Sequence, residues 1–254
     1  MDISGNTVFL PGASSGIGLA LALELHRKGN EVIIGGRRTE VLERLTAEHP
    51  GLHAVTVDVE DPASLRAAAD RVVAEHPDLN VLIAMAGIMR VEDWTHAEGF
   101  LRDAEQVVTT NVLGTIRLIA AFLEQLRSRP AATIMTVSSG LAFTPLGATP
   151  SYNASKAAIH MLSESLRLQW EGTGVEVLEL QPPGVATDLL PGHRENPVTM
   201  PLEEFVAEVI ALLEAQPHGP EIQVERVKAL RYSEVRGEYA QTVAALNGSD
   251  AHGS

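Results

Sequence analysis

The chain has no cysteine, which excludes disulfides, thiolate metal sites, iron–sulfur clusters and a thiolate nucleophile at once. Basic residues are scarce: 19 Lys and Arg stand against 33 Asp and Glu, for a formal net charge of −14. That balance argues against a broad cationic face for nucleic acid or an anionic membrane, while leaving room for a local basic site. Aromatic residues make up 4%, so the core has to be aliphatic. No run approaches the roughly 18 uninterrupted apolar residues of a membrane span, and residues 1–7 carry no basic stretch ahead of an apolar one. A cytoplasmic protein with no membrane partner is expected. At 254 residues and 45% hydrophobic, the chain can bury one sizeable core but has little room for a second full domain.

Short apolar, β-branched runs at 7–10, 31–34, 53–57, 81–85, 133–137 and 175–180 read as strands buried on both faces. Between them, 16–28, 39–48, 62–75, about 104–127 and 155–171 read as helices, with Gly29 and Pro50 placed to stop two of them. The alternation predicts an α/β fold, a doubly wound parallel sheet covered by helices on both faces, in one domain over 1–246. Gln181-Pro182-Pro183-Gly184 breaks the sixth strand. The stretch 188–201 has no clear period and, with a helical pattern at 202–215, is expected to cover a substrate. A short last strand at 221–225, a terminal helix at 227–246 and a disordered tail at 247–254 complete the expectation.

The first strand runs into Pro11-Gly12-Ala13-Ser14-Ser15-Gly16-Ile17-Gly18, a G-x-x-x-G-x-G turn opening a helix. Gly12, Gly16 and Gly18 there would permit a tight turn and close approach of a pyrophosphate to unpaired helix N–H groups. A bare glycine pattern is weak; its place between strand and helix of the first βαβ unit is the context it needs. At the end of the second strand, where an acidic residue would bond an NAD ribose, the chain has Gly35-Gly36-Arg37-Arg38. Two guanidiniums with no neighbouring carboxylate suit a 2′-phosphate, which favours NADP(H). Solvation ahead of the helix at Thr39 is an equal explanation for Arg38. Asp58, ending the third strand, could reach the adenine.

Only three tyrosines occur, and one of them stands in Tyr152-Asn153-Ala154-Ser155-Lys156, four residues from a lysine and hence on the same face of a helix. A free phenol, pKa about 10, is a poor acid–base group near neutrality; a neighbouring cation is what such chemistry requires. Ser139, just past the fifth strand, would lie at the carboxyl edge of the sheet, where it could hold a substrate oxygen.

Together the glycine turn, Ser139 and Tyr152-x-x-x-Lys156 resemble the short-chain dehydrogenase/reductase family over about residues 5–190. The resemblance implies a sheet of about seven strands, hydride transfer from a nicotinamide, and Tyr152 as the acid that protonates a carbonyl oxygen. Lys156 would hold ribose hydroxyls and lower the phenol pKa, Ser139 would position the substrate, and Asn111 would support a proton-relay water. It further implies cofactor contacts from Ser14, Ser15 and Ile17 beside the glycines, from Asp58 and Val59, from Ala86 and Gly87, from Tyr152 and Lys156 themselves, and from Pro183, Gly184, Val185 and Thr187. Two positions depart from the family pattern: Pro11, in place of Thr or Ser, and Ala84-Met85-Ala86-Gly87, in place of Asn-Asn-Ala-Gly. Segment 219–228 lacks the final Asp-Gly-Gly of tetrameric relatives and is similar to the DltE-type oxidoreductases. A homodimer through the helices at 104–127 and 155–171 is therefore expected, with a tetramer second.

The function this implies is NADPH-dependent reduction of a ketone or aldehyde with a mostly apolar substituent, or the reverse oxidation. The altered Ala84–Gly87 segment motivates a second reading, an NADP(H)-binding sensor without turnover; retention of Asn111, Ser139, Tyr152 and Lys156 together favours the enzyme. Nine histidines give no metal expectation, because no pair sits at i, i+4 on an uninterrupted helix with a carboxylate. Trp94, Phe143, Leu146, His193 and Met200 are candidate pocket residues.

Overall fold

The structure is a computed structural model, described for residues 1–96 and 98–248. Seven strands form one parallel sheet in the order β3-β2-β1-β4-β5-β6-β7. They are β1 (Thr7–Pro11), β2 (Glu31–Gly36), β3 (Leu52–Thr56), β4 (Val81–Ala84), β5 (Ala132–Val137), β6 (Val175–Leu180) and β7 (Glu221–Ile222). The order reverses between β1 and β4, and that switch point opens a crevice at the carboxyl ends of the strands. Alternate strand residues feed two separate cores. Val8, Leu10, Val32, Ile34, Ile83 and Met135 face α1 (Gly16–Arg27), α2 (Thr39–Glu48) and α7 (Leu202–Ala215). Phe9, Ile33, Leu82 and Ile134 face α3 (Pro62–Glu75) and α5 (Gly114–Arg127), with the end of α6 (Pro150–Gln169) alongside. Strands covered on both sides account for their nearly unbroken apolar sequences.

Local chemistry sets several boundaries. Asp61 caps α3 by accepting from Ala63 N at 2.9 Å, with Pro62 in the first turn, a position where its missing N–H costs nothing. Helix α6 also has a proline, Pro150, in its first turn, though no side-chain cap; it begins earlier than the expected 155, so Tyr152 itself is helical. The expected helix at 104–127 is α4 (Phe100–Val108), a π-helical turn at Thr109–Leu113 and α5. By length and hydropathy alone the run 100–127 could cross a membrane. Here its Leu118, Phe122 and Leu126 are buried against the sheet.

The C-terminal quarter differs most from expectation. Strand β7 spans two residues, and the terminal helix is broken into α8 (Lys228–Arg231) and α9 (Tyr239–Gly248), separated by a turn with Gly237 at φ +74°. The helix takes in Asn247 and Gly248, where a disordered tail was expected; 249–254 lie outside the described residues. Within 188–215, Asp188, Leu189 and His193 line a cavity at the carboxyl ends of the strands. Leu202–Ala215 is α7, whose Phe205, Val209 and Leu213 are core residues.

The aromatic pair Phe9 and Phe122, ring centroids 5.0 Å apart and both fully buried, joins β1 to α5 beneath the switch point. Phe122→Ala is expected to lower the unfolding free energy by about 3–5 kcal/mol, read from the midpoint of urea denaturation.

Candidate active site

At the end of β1 the chain turns through Gly12, whose φ of +92° favours glycine. A Cβ there would come within 2.6 Å of the Ala86 nitrogen, so any larger residue would force apart the two loops that flank the switch point. Gly12 N and Ala13 N both donate to the Gly35 carbonyl, at 2.8 and 3.2 Å, which fixes the turn against β2. Ser15 ends the turn, and α1 starts at Gly16, presenting its free N–H groups to the cavity. This cradle fits a dinucleotide pyrophosphate: a close-packed glycine turn with a helix N-terminus aimed at the ligand space. Ser14, Ser15, Gly16, Ile17 and Gly18 all line it.

Arg37 and Arg38 lie beyond β2 at one end of the same cavity, with Asp58 and Val59 beside them. Arg38 Nη2 donates to Ser14 Oγ at 3.0 Å, tying that guanidinium to the glycine turn. Arg37 does have a carboxylate neighbour, contrary to expectation. The β3–α3 turn brings Glu60 Oε1 to 3.8 Å from its Nη1, and Thr110 Oγ1, donating to that same Oε1 at 2.6 Å, holds Glu60 in place. The sequence signal was read only around the end of β2, whereas this contact comes from the neighbouring strand.

At the other end, β5 and α6 bring Ser139, Tyr152 and Lys156 to the cavity. Lys156 Nζ donates to the Val137 carbonyl at 2.8 Å and lies 5.5 Å from the centre of the Tyr152 ring. Burial alone pushes Lys156 down to about 8. Burial pushes the Tyr152 phenol up to about 12, with the Ser139 hydroxyl pulling the other way. Desolvation, rather than the lysine, is thus the larger influence on the phenol. Ser139 caps a single 3-10 turn: its Oγ accepts from Leu141 N at 3.1 Å and makes a long 3.5 Å contact to the Pro182 carbonyl, besides its hydrogen bond with the Tyr152 phenol. That hydroxyl therefore faces both the phenol and the shared cavity.

Asn111 sits behind this group on the π-helical turn, 1% exposed. Its Oδ1 accepts from Ile88 N at 2.8 Å; its Nδ2 donates to Ile88 O and Ser155 Oγ, at 2.9 and 3.0 Å. Ser155 Oγ in turn donates to the Tyr152 carbonyl at 2.7 Å. Both amide protons are thereby used, so the side chain clamps the loop after β4 to the start of α6. Such π turns recur where a helix must aim a group at a site.

The short chain dehydrogenase family profile matches residues 6–197. The Bacillus subtilis (strain 168) protein named "Uncharacterized oxidoreductase DltE" is 37% identical over 97% of this chain and 98% of its own length. This chain belongs to the short-chain dehydrogenase family. Among solved structures, a short chain dehydrogenase from Burkholderia cenocepacia J2315 in complex with NADP superposes with a TM-score of 0.80 at 25% identity, covering 96% of this chain and 98% of that one. A second, from Burkholderia phymatum in complex with NAD, has a TM-score of 0.78 at 20% identity over 94% and 96% of the two chains.

In this short-chain dehydrogenase Ala86, Gly87, Pro183, Gly184, Val185 and Thr187 line the same cavity, of about 640 Å³. Of the candidate pocket residues, Leu146 and His193 line it. Trp94 instead stacks on Phe100 at 4.3 Å, Phe143 packs on His160 and under Arg231, and Met200 is core. Leu189 falls in the segment expected to cover a substrate, whereas sequence reasoning missed Met89, Arg90, Leu141, Leu230 and Leu246. The last two come from α8 and α9, whose docking carries no local signal. Asn247 fixes α9: its Oδ1 accepts from Gly147 N at 2.6 Å, and its Nδ2 donates to the Pro145 carbonyl at 3.1 Å.

Because burial lowers Lys156 from 10.5 to about 8, its charging opposes folding below pH 8, and that penalty fades as the pH rises toward the unfolded value. Between about pH 7 and pH 9.5, without nucleotide, wild type is expected to gain about 2 kcal/mol more stability than Lys156→Met. Equal slopes in urea denaturation would show that the ammonium is not desolvated.

Proposed function

We propose that this protein is an NADPH-dependent reductase of ketones or aldehydes with mostly apolar substituents, able to run the alcohol oxidation in reverse. The observation that carries this reading is the placement of Tyr152, Ser139 and Lys156 in the same cavity as the glycine cradle and the two arginines. NADPH, when bound, supplies a hydride to the carbonyl carbon. The chain's own part is at the oxygen. A phenol held near 12 is fully protonated at neutral pH and able to donate. Ser139 offers a second hydrogen bond to the same oxygen, and the Lys156 ammonium, 5.5 Å from the ring centre, stabilises the phenolate left behind. Walls of Met89, Leu141, Leu146, Leu189, Leu230 and Leu246 suit an apolar substituent.

Arg38 at the glycine turn and Arg37, 59% exposed on its side chain and paired with Glu60 only at 3.8 Å, support a 2′-phosphate. An exposed pair at that distance is weak, so Arg37 can exchange it for phosphate. The sensor reading has less support, since the altered Ala84-Met85-Ala86-Gly87 segment still passes against Gly12. A homodimer is supported by Leu101, Val108, Leu113, Ile116, Met161 and Leu168, all exposed on α4, the π turn, α5 and α6; a tetramer is the second reading, and light scattering distinguishes them.

NADPH oxidation over a panel of alkyl and aryl ketones tests the activity. Tyr152→Phe is expected to lower kcat by about 100-fold or more; unchanged rates would remove Tyr152 from the chemistry. Tight NADPH binding with no turnover of any carbonyl or alcohol would favour the sensor. Separately, Arg37→Ala with Arg38→Ala is expected to weaken NADPH by about tenfold or more while leaving NADH unaffected. Equal loss for both coenzymes would overturn the 2′-phosphate assignment.

A further inference from the structure

At the opposite ends of the strands from Tyr152, three side chains from separate elements converge. Glu31 opens β2, His53 lies on β3 and His76 follows the last turn of α3. Glu31 Oε1 is 2.7 Å from His76 Nδ1 and 3.7 Å from His53 Nε2, and the three donor atoms lie within 4.8 Å of one another. The imidazoles meet edge to face, with centroids 4.7 Å apart. The second carboxylate oxygen, Oε2, accepts from Thr7 Oγ1 at 3.1 Å, which orients the carboxylate and leaves Oε1 to the histidines.

We infer that Glu31, His53 and His76 form a zinc site, with the fourth position open to water. Two imidazoles and one carboxylate are a donor set for a borderline divalent ion rather than for calcium or magnesium, which take oxygen. Tetrahedral zinc needs neighbouring donor atoms about 3.3 Å apart, and the two contacts to Oε1 bracket that value. His53 and His76 also line a hollow of about 260 Å³, through which an ion can enter.

A second cluster, His160, Glu164, Glu179 and Glu221, looks similar but already holds its cations. Arg167 Nη2 stands 3.7 Å from Glu179, and Arg231 Nη2 stands 3.2 Å from Glu221. Among the described residues, both ion pairs of Glu31's side chain that carry it into this cluster are with histidine, and nearby Arg71 is engaged with Glu75 at 2.9 Å. Zinc at Glu31 would cross-link β2, β3 and the end of α3, and would act on the fold rather than on the reaction at Tyr152.

Calorimetric titration of zinc chloride into the full chain, dialysed against EDTA and free of nucleotide, tests the site. One equivalent is expected to bind and to raise the thermal midpoint. His53→Ala and Glu31→Gln, at side chains 46% and 42% exposed, are each expected to weaken binding by about tenfold or more, with zinc-free midpoints close to wild type. His218→Ala, a surface histidine paired with Glu176, should leave the affinity unchanged. Absence of saturable binding, equal affinity in wild type and both cluster variants, or loss in His218→Ala would overturn the assignment.

Discussion

A buried ammonium ties helix α6 to the carboxyl end of strand β5. Lys156 reaches from α6 to the carbonyl of Val137, the last residue of β5, and that bond sets the distance between the helix bearing Tyr152 and the strand end bearing Ser139. Taking a charge out of water is costly, and the lowered pKa of the lysine records that cost. The surroundings are built to hold the arrangement. Gly87 lets the loop after β4 pass close to this group, since a Cβ there would come within 3.3 Å of Asn111 Oδ1. Asn111 clamps the neighbouring loop to Ser155. Behind Ser139, Ser138 Oγ donates to the fully buried Glu179 at 2.5 Å, and His160 meets the same carboxylate at 3.0 Å.

Where sequence and structure agree, the signal was local. Strands such as Val32-Ile33-Ile34 announce themselves because both faces are covered, and Tyr152 and Lys156 lie on one helix face at a spacing that can be counted. The glycine turn was legible for the same reason: strand, turn and helix are contiguous. What could not be read depends on contacts between distant parts of the chain. Glu60 reaches Arg37 only because β2 and β3 are neighbours. The convergence of Glu31, His53 and His76 is likewise invisible to any helical or short-loop spacing. Pro150 began α6 before its apolar period was evident. The two C-terminal helices rest on the cavity through side chains whose pattern alone gives no address.

The departures from the family pattern illustrate a division between backbone and side-chain requirements. At Ala84-Met85-Ala86-Gly87 the amide side chains are gone, but the path survives because Gly12 and Ala86 still pass within contact distance. At the amino ends of the same strands a different amide does stitching work. Thr7 N donates to Asn80 Oδ1 at 2.9 Å, and Thr133 N donates to the Asn80 carbonyl at 2.8 Å, linking β1, β4 and β5.

Helix α9 contains no buried residue, yet Asn247 bonds it to the loop that carries Leu146, and Leu246 forms part of the cavity wall. The portion of the chain that shapes the mouth is thus laid over the sheet without contributing to its core. Substitutions along this helix would alter the entrance with no buried side chain at stake, since the glycine turn, Tyr152 and Lys156 belong to other elements. The contour of the cavity mouth and the shape of its floor are thereby assigned to different stretches of one polypeptide.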